Sequence, residues 1–292
     1  VTPHKIRVGQ FSESPVLAVA RAMELDTRYG VDWETQRVPS SPAQFESLRN
    51  GEIDVAITSP DNVLLYATTS QNPLKEQLDL KFLRPIDRGL RLGLYTSSGI
   101  SSVEDFRGST LGVDVMSSGF AILMLDMLAS LGVDHSTATF VAVGATPKRL
   151  GAISDGTIQG SVLNAETAVA AEQAGLRRWV TSADVSPDYL GTVLAQKAGP
   201  ISEDTRAFLD LWEAATQAIQ SFSPADLMEV LGAQAPVLAN PDYVEILQSA
   251  EYGCVSGEVV SAQQLRVLAQ IRKNSGAYAP SEDDILRLSS DS

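Results

Sequence analysis

Apolar positions along the chain alternate between a two-residue and a 3.6-residue period, and each switch marks a strand or a helix. KIRVGQF, Lys5 to Phe11, reads as a first strand. Pro15, suited to a first helical position, opens an apolar-spaced stretch from Val16 to Tyr29, read as one helix ended by Gly30. Val31 to Val38 reads as a second strand, Pro42 starts a helix that Gly51 stops after Asn50, and Ile53 to Thr58 reads as a third strand. Strands alternating with helices of this length predict the α/β class, with mostly parallel sheets flanked by helices.

From Leu80 to Thr96 no helix pattern appears, and Pro85, Gly89 and Gly93 mark extended chain crossing to a second unit. That unit repeats the order: a short helix around Val103 to Phe106, a turn at Gly108, and a strand from Thr110 to Val115. A helix from Gly119 to Leu131 follows, with Ile122, Leu125, Leu128 and Leu131 among its apolar stripe. A strand (Thr139 to Val143), helix (Thr146 to Ser154), strand (Ile158 to Leu163) and helix (Ala165 to Ala174) complete it, and Tyr189 to Gln196 reads as the return. From Ser202 onward the pattern is helical: Phe208, Leu211, Trp212, Ala215, Ile219 and Phe222 share one face. Helices at Asp242 to Ser249 and Ala262 to Ile271 are expected, with it, to buttress the first lobe.

The two units repeat at one spacing. Gly51-Glu52-Ile53 and Gly156-Thr157-Ile158 each open a strand, and 156 minus 51 is 105; Ile6 to Leu111 and Ser12 to Ser117 give 105 again. Two α/β lobes presenting equivalent loops to a shared cleft follow from such a repeat. The expected division is residues 1–88 plus 196–292 for lobe 1 and 89–195 for lobe 2, with crossovers near 84–96 and 186–196.

A chain of 292 residues exceeds the usual single domain. Its formal charge of −14 repels polyanions, so nucleic acid is a poor partner. No apolar run approaches the roughly 20 residues that span a bilayer, and a start at Val1 fits an exported domain whose leader is absent. The single cysteine, Cys254, excludes an internal disulfide and multi-cysteine metal or redox sites, and His4 and His135 lack metal-ligand spacing. No metal, cofactor or catalytic residue is therefore expected.

In open parallel sheets the ligand sits beyond the carboxyl ends of the strands. That rule selects Phe11, Ser12 and Glu13, then Ser40 and Ser41, then Ser59 and Asp61. In the second unit it selects Ser117 and Ser118, then Asn164 and Glu166. Each loop precedes a helix, whose free N–H groups favour an anionic group. Serines there also serve as ordinary N-caps, and acids at helix starts as ordinary dipole partners. Arg88 in the crossover is a candidate for bidentate binding of a carboxylate or sulfonate, while Arg91 reads as a strand-edge residue or a partner of Asp87. Tyr189 is added as a stacking aromatic; Phe11, Tyr66 and Tyr95 are the others available. Glu13, Asp61 and Glu166 complicate a purely anionic ligand, and a solute with both an anionic and an amino group reconciles the two sets.

The run GVDWETQRVPSSPAQFESLRNGEIDVAITSPDNVLLY, preceded by SPVLAVARAMELDTRYG, resembles periplasmic solute-binding proteins of the nitrate, sulfonate and taurine type, a superfamily that includes pyrimidine-precursor binding proteins of thiamin synthesis. SVEDFRGSTLGVDVMSSG is similar to the start of that family's second lobe, and the likeness spans roughly Lys5 to Gln196. The resemblance implies a two-lobed periplasmic binding protein type II fold that closes on a small solute and delivers it to a membrane permease of the ABC type. It places the protein in the periplasm or on the extracellular face of the membrane. Glu13 departs from the commoner pattern, which puts a simple inorganic anion in doubt. A sulfonate, carboxylate or amino-heterocycle remains. The alternatives are a desulfinase- or decarboxylase-like enzyme on the same scaffold using Cys254, a residue expected to lie away from the selected loops, and the ligand-sensing half of a signalling assembly.

Overall fold

The structure, a computed structural model, describes residues 5–290; His4 lies outside them. The first unit runs β1 (Lys5–Gln10), α1 (Pro15–Ala22), α2 (Leu25–Tyr29), β2 (Asp32–Arg37), α3 (Ser41–Asn50), β3 (Val55–Thr58), α4 (Pro60–Thr68) and β4 (Leu80–Asp87). The second runs β5 (Gly93–Thr96), β6 (Thr110–Val113), α5 (Gly119–Ser130), β7 (Thr139–Ala142), α6 (Thr146–Ser154), β8 (Gly160–Leu163), α7 (Ala165–Gln173), β9 (Arg177–Thr181) and α8 (Ser182–Val185). The chain then returns through β10 (Thr192–Lys197) into α9 (Glu203–Ser221), α10 (Pro224–Gln234), α11 (Pro241–Gln248), α12 (Ala262–Asn274) and α13 (Glu282–Leu288).

Two five-stranded sheets result, ordered β2-β1-β3-β10-β4 and β7-β6-β8-β5-β9. Their plans are the same. In each, three strands of one unit run parallel, and the fourth position is an antiparallel strand that has just arrived from the other lobe: β10 between β3 and β4, β5 between β8 and β9. Both sheets are therefore mixed, with a single reversed strand in each, and helices flank them. The result is a two-lobed α/β architecture of the kind that the resemblance implies.

The 105-residue spacing holds for part of this symmetry. β3 and β8 begin at 55 and 160, a difference of 105, and both are preceded by left-handed glycines, Gly51 (φ 73°) and Gly156 (φ 79°). The first strands depart from it. Gly9 pairs with Ala56 and Gly112 with Ser161, so β1 and β6 are related by 112 minus 9, which is 103. The following helices start at 15 and 119, a difference of 104. The loop before α5 is longer than the loop before α1, and Ser12 and Ser117 are not counterparts.

Three other expectations need correction. The stretch Val16 to Tyr29 is two helices, because Glu24 turns left-handed (φ 52°) where Arg21 reaches out to Asp26, Asp32 and the Trp33 carbonyl and lies over the Trp33 ring. Strand β9 was not expected: its Arg177 and Arg178 are exposed at a sheet edge, which hides the period-two pattern. The C-terminal helices do not all serve lobe 1. Helices α9 and α10 pack on α1, but α11 also touches α7, and α12 packs on both α4 and α5. Leu265 and Ile271 of α12 share one apolar cluster with Leu64 of the first unit and Met124 of the second.

A buried ion pair fixes α12 there. Arg272, at the last turn of α12, donates from Nε and Nη2 to the two carboxylate oxygens of Asp61, both at 2.7 Å, and also to the carbonyls of Tyr278 and Ser117. Removing one partner strands a buried charge, which costs about 3 to 5 kcal/mol, whereas removing both leaves an apolar contact. Arg272→Met is expected to lose that much stability in urea unfolding, and Asp61→Leu combined with Arg272→Met to recover most of it.

Asp87, at the end of β4, holds the two crossings together. Its Oδ1 accepts from the Gly89 N–H at 2.7 Å, its Oδ2 from the Thr192 hydroxyl, and its carbonyl from the Gly191 N–H. Gly191 is required by this approach, because a Cβ there would lie 2.2 Å from Asp87 Oδ1. Burial pushes the Asp87 carboxyl up to about 6, against the pull of the Thr192 and Gly89 hydrogen bonds. A raised carboxyl pKa means that the native state binds the proton more tightly than the unfolded chain. Ionised Asp87 therefore lowers stability progressively between about pH 4 and about pH 6, and fully above that. Asp87→Asn can keep both side-chain hydrogen bonds without the charge. It is expected to be more stable than the wild type at neutral pH, by at most about 3 kcal/mol, with the difference vanishing near pH 4 in parallel urea titrations.

Candidate functional site

Between the sheets lies a cleft of about 920 Å³ including its mouth, bounded by the carboxyl ends of strands from both lobes. The sequence-selected residues divide there. Phe11, Ser12, Glu13, Ser59, Ser118, Asn164 and Glu166 line the cleft. Ser40, Ser41, Asp61, Arg88, Ser117 and Tyr189 do not. Ser40 caps α3 by accepting from Ala43 N–H, and the Ser41 N–H donates to Asp114. Asp61 is consumed by Arg272, and the Ser117 carbonyl accepts from the same guanidinium. Arg88 pairs with Glu258 on the C-terminal segment, and Arg91 with Glu172 rather than Asp87. Tyr189 is a core residue at 3% exposure. Tyr66 is stacked on Phe45 at 4.1 Å, and Tyr95 hydrogen-bonds Glu172 inside lobe 2. Of the four aromatics considered, Phe11 alone lines the cleft; Phe120, Trp212 and Tyr243 join it.

Three charged residues that sequence reasoning passed over line the same space: Asp87, Asp114 and Arg149. Arg149 sits on α6, 2% exposed. Its Nε donates to the Ser161 hydroxyl at 3.0 Å, Nη1 to the Gly144 carbonyl at 2.6 Å, and Nη2 to the Thr146 hydroxyl and the Val162 carbonyl, both at 3.1 Å. All four acceptors are neutral. Burial brings its pKa down to about 10, with Asp114 opposing the shift from a distance. The signal available in the sequence was weak: an arginine three residues into a helix whose start, Ala145, matches Ser40 at the 105 spacing.

Asp114 reaches across the lobes. Its Oδ2 accepts from Ser41 N–H at 2.9 Å, while its Oδ1 is buried without a partner. The Ser118 hydroxyl, from the residue that precedes α5, is buried and unpartnered as well. Glu166, at the start of α7, has its carboxyl pKa raised by burial, although the Ser12 hydroxyl and Arg37 favour its charged form. Glu13 is already paired with Arg37 at 2.9 Å, and Arg37 also donates to the Phe11 carbonyl, which fixes the loop after β1.

The lobes touch around this space. Gly119 N–H donates to Asn62 Oδ1 at 2.9 Å and Ala145 N–H to the Pro39 carbonyl at 3.1 Å. At Gly119 the approach is close enough that a Cβ would meet Ser59 Oγ at 2.5 Å and Asp61 Cβ at 2.8 Å.

Cys254 lies in the cleft wall, contrary to the expectation that it sits apart, because the segment after α11 returns to form a bridge with Asp87. Burial pushes its thiol well above the ordinary range, which disfavours the nucleophilic thiolate. Among the described residues no histidine lines the cleft, and His135 belongs to a 3-10 turn before β7. Among the described residues, too, no group of three or more His, Cys, Asp or Glu is placed to hold a metal ion, and no helix is long and apolar enough to cross a membrane.

Comparison with curated protein sequences finds no match. Solved structures match over nearly the whole chain. The alkanesulfonate-binding protein of Xanthomonas axonopodis pv. citri, bound to MOPS, superposes with a TM-score of 0.74 at 16% identity, covering 97% of this chain and 96% of that one. The periplasmic aliphatic sulphonate binding protein of Escherichia coli gives 0.68 at 19% identity, covering 99% and 98%. The periplasmic nitrate-binding protein of Synechocystis PCC 6803 gives 0.76 at 11% identity, covering 99% and 85%. These likenesses establish the fold. The family described as "NMT1/THI5 like" matches residues 28–223, more than half of the chain and parts of both lobes. The chain belongs to the NMT1/THI5-like family.

Proposed function

We propose that this protein is the extracytoplasmic solute-binding component of an ABC importer, capturing one small polar organic molecule by closing its two lobes and presenting it to a membrane permease. In this reading the lobes are residues 1–88 with 196–292 and residues 89–195. They turn on the crossings near 84–96 and 186–196, where Asp87 ties the two passages together. The observation that carries the reading is the set of buried polar groups from lobe 2 that face the inter-lobe cleft without a protein partner: Asp114 Oδ1 and the Ser118 hydroxyl. A buried polar atom left unpaired costs about 1 to 3 kcal/mol, and a solute supplying the missing bonds recovers that on binding. Phe11, Phe120 and Trp212 offer apolar enclosure beside them.

Ser12, Glu13, Ser59, Ser118, Asn164 and Glu166 are the sequence-selected residues retained as ligand contacts, joined by Asp87, Asp114 and Arg149. Micromolar capture needs about 8 kcal/mol, which a few charge-assisted hydrogen bonds with enclosure supply. Closure is favoured because ligand contacts from both lobes exist together only in the closed arrangement. The relatives with sulfonate and nitrate in their names support a small solute of this size class. With its thiol raised by burial and no histidine among the described residues lining the cleft, Cys254 gives the enzymatic alternative little support as an activated nucleophile.

Native mass spectrometry of the purified protein, followed by thermal shifts with sulfonates, carboxylates, aminopyrimidines and amines, tests the binding role. One solute bound per chain with a dose-dependent rise in Tm is expected; no shift with any class removes the proposal. Gly119→Ala tests closure. Its Cβ has no room against Ser59 and Asp61 unless the lobes separate, so small-angle scattering is expected to give a larger radius of gyration than the wild type. Affinity for whichever solute stabilises the wild type is expected to fall at least tenfold. Unchanged affinity and dimensions remove Gly119 from the closing contact.

A further inference from the structure

The cleft carries an unbalanced charge. Glu13 is cancelled by Arg37, and Arg149 offers one guanidinium, but Asp87, Asp114 and Glu166 bring three carboxylates with no cation among the described residues in contact with any of them. Asp87 is served by the Gly89 N–H and the Thr192 hydroxyl, and its remaining neighbours, Cys254, Tyr189 and Tyr243, are neutral. Asp114 keeps one oxygen for Ser41 and has the other unpartnered, with the neutral Tyr66 ring and the distant Arg149 as its electrostatic neighbours. Glu166 feels Arg37 from a distance, but that guanidinium is engaged by Glu13 and the Phe11 carbonyl. Burial raises the carboxyl pKa of both Asp87 and Glu166, the response of acids enclosed without a counter-charge.

Arg149 does not reverse this balance. Four neutral acceptors already hold it to α6 and β8, so most of its donors are spent inside lobe 2. A bare sulfonate or nitrate entering the cleft would meet one guanidinium with few free N–H groups and three carboxylates.

We infer that the solute bound in this cleft presents a positively charged nitrogen group, a protonated amine, amidine or guanidine, which is read by Asp114 Oδ1 and Glu166 from lobe 2 with Asp87 completing the acidic surround. The inference rests on the solute-binding reading above and narrows it. Ser118, with its hydroxyl buried and unpartnered beside these acids, supplies a neutral acceptor for one more N–H.

The test uses the full chain and a panel of small probes at millimolar concentration. Benzamidine, agmatine and putrescine supply the cations, methanesulfonate and nitrate the anions, and 4-amino-2-methylpyrimidine the weakly basic heterocycle. Thermal shift and calorimetric titration are read on the wild type and on Asp114→Asn and Glu166→Gln, both of which retain an acceptor for the existing contacts. The cations are expected to stabilise the wild type, with affinity reduced at least tenfold in each variant and rising with pH through about 6 as Asp87 ionises. Anions or the heterocycle stabilising more than the cations, or an affinity that increases as pH falls, overturns the inference and leaves the solute-binding reading standing. No shift of the wild type with these probes or with carboxylates overturns both.

Discussion

Each sheet of this protein is completed by a strand that arrives from the other lobe, and that exchange is the constraint on which the remaining structure depends. Without β10 the first sheet would be split between β3 and β4, and without β5 the second would be split between β8 and β9. The lobes therefore cannot fold or part independently of the crossings. Asp87 stands where the two crossings meet, with a hydrogen bond into each. Its charge is unfavourable in that place, and its geometry is not replaceable by a larger group, because Gly191 has no room for a side chain. A carboxylate that lowers stability while fixing the junction is a trade that functional sites commonly make.

The same trade recurs on the walls of the cleft. Enclosing a carboxylate without a cation is costly in any low-dielectric setting, yet the strand ends and helix starts of both lobes bring Asp87, Asp114 and Glu166 to one space. Elsewhere the molecule follows the opposite rule. Asp61, equally buried, receives both of its strong bonds from Arg272, and Glu172 is shared by Arg91, Arg178 and the Tyr95 hydroxyl. At these two places arginines neutralise the acids that packing encloses or half-encloses. Where the chain leaves them unneutralised, the acids face a cavity.

Much of the architecture was legible because it rests on local signals. Gly51 and Gly156 end helices in the left-handed region, and Ser14, Ser40 and Ser59 cap helices, so periodicity and punctuation located most strands and helices near their observed bounds. The errors arise where a long-range contact overrides a local pattern. The break after α1 is made by Arg21 reaching β2, and β9 is held as an edge strand by β5 despite its exposed arginines. The rule that ligands sit beyond strand carboxyl ends selected the right loops but not always the right side chain. Ser117 and Ser118 are neighbours in the same loop, and one turns its carbonyl to Arg272 while the other faces the cleft. Asp61 and Asn62 divide in the same way. Arg149 and Asp114 were missed because their roles come from depth, and nothing in TPKRLG or GVDVM distinguishes a buried charge from a solvated one.

Helix α12 shows how the C-terminal region enters the mechanics of the two lobes. Arg272 holds Asp61 of the first unit by two charge-assisted bonds at 2.7 Å, and the Ser117 carbonyl of the second by one longer bond at 3.3 Å. Two short bonds from a guanidinium to a carboxylate are stronger than one longer bond from it to a neutral carbonyl, so the two attachments are unequal. Any separation of the lobes that preserves the stronger attachment must break the Ser117 bond and slide α5 over α12, along the apolar cluster that both share. Such contacts are non-directional, and sliding them costs less than breaking a buried ion pair. The C-terminal helices thus pack against both units, which is why their packing could not be assigned to lobe 1 alone.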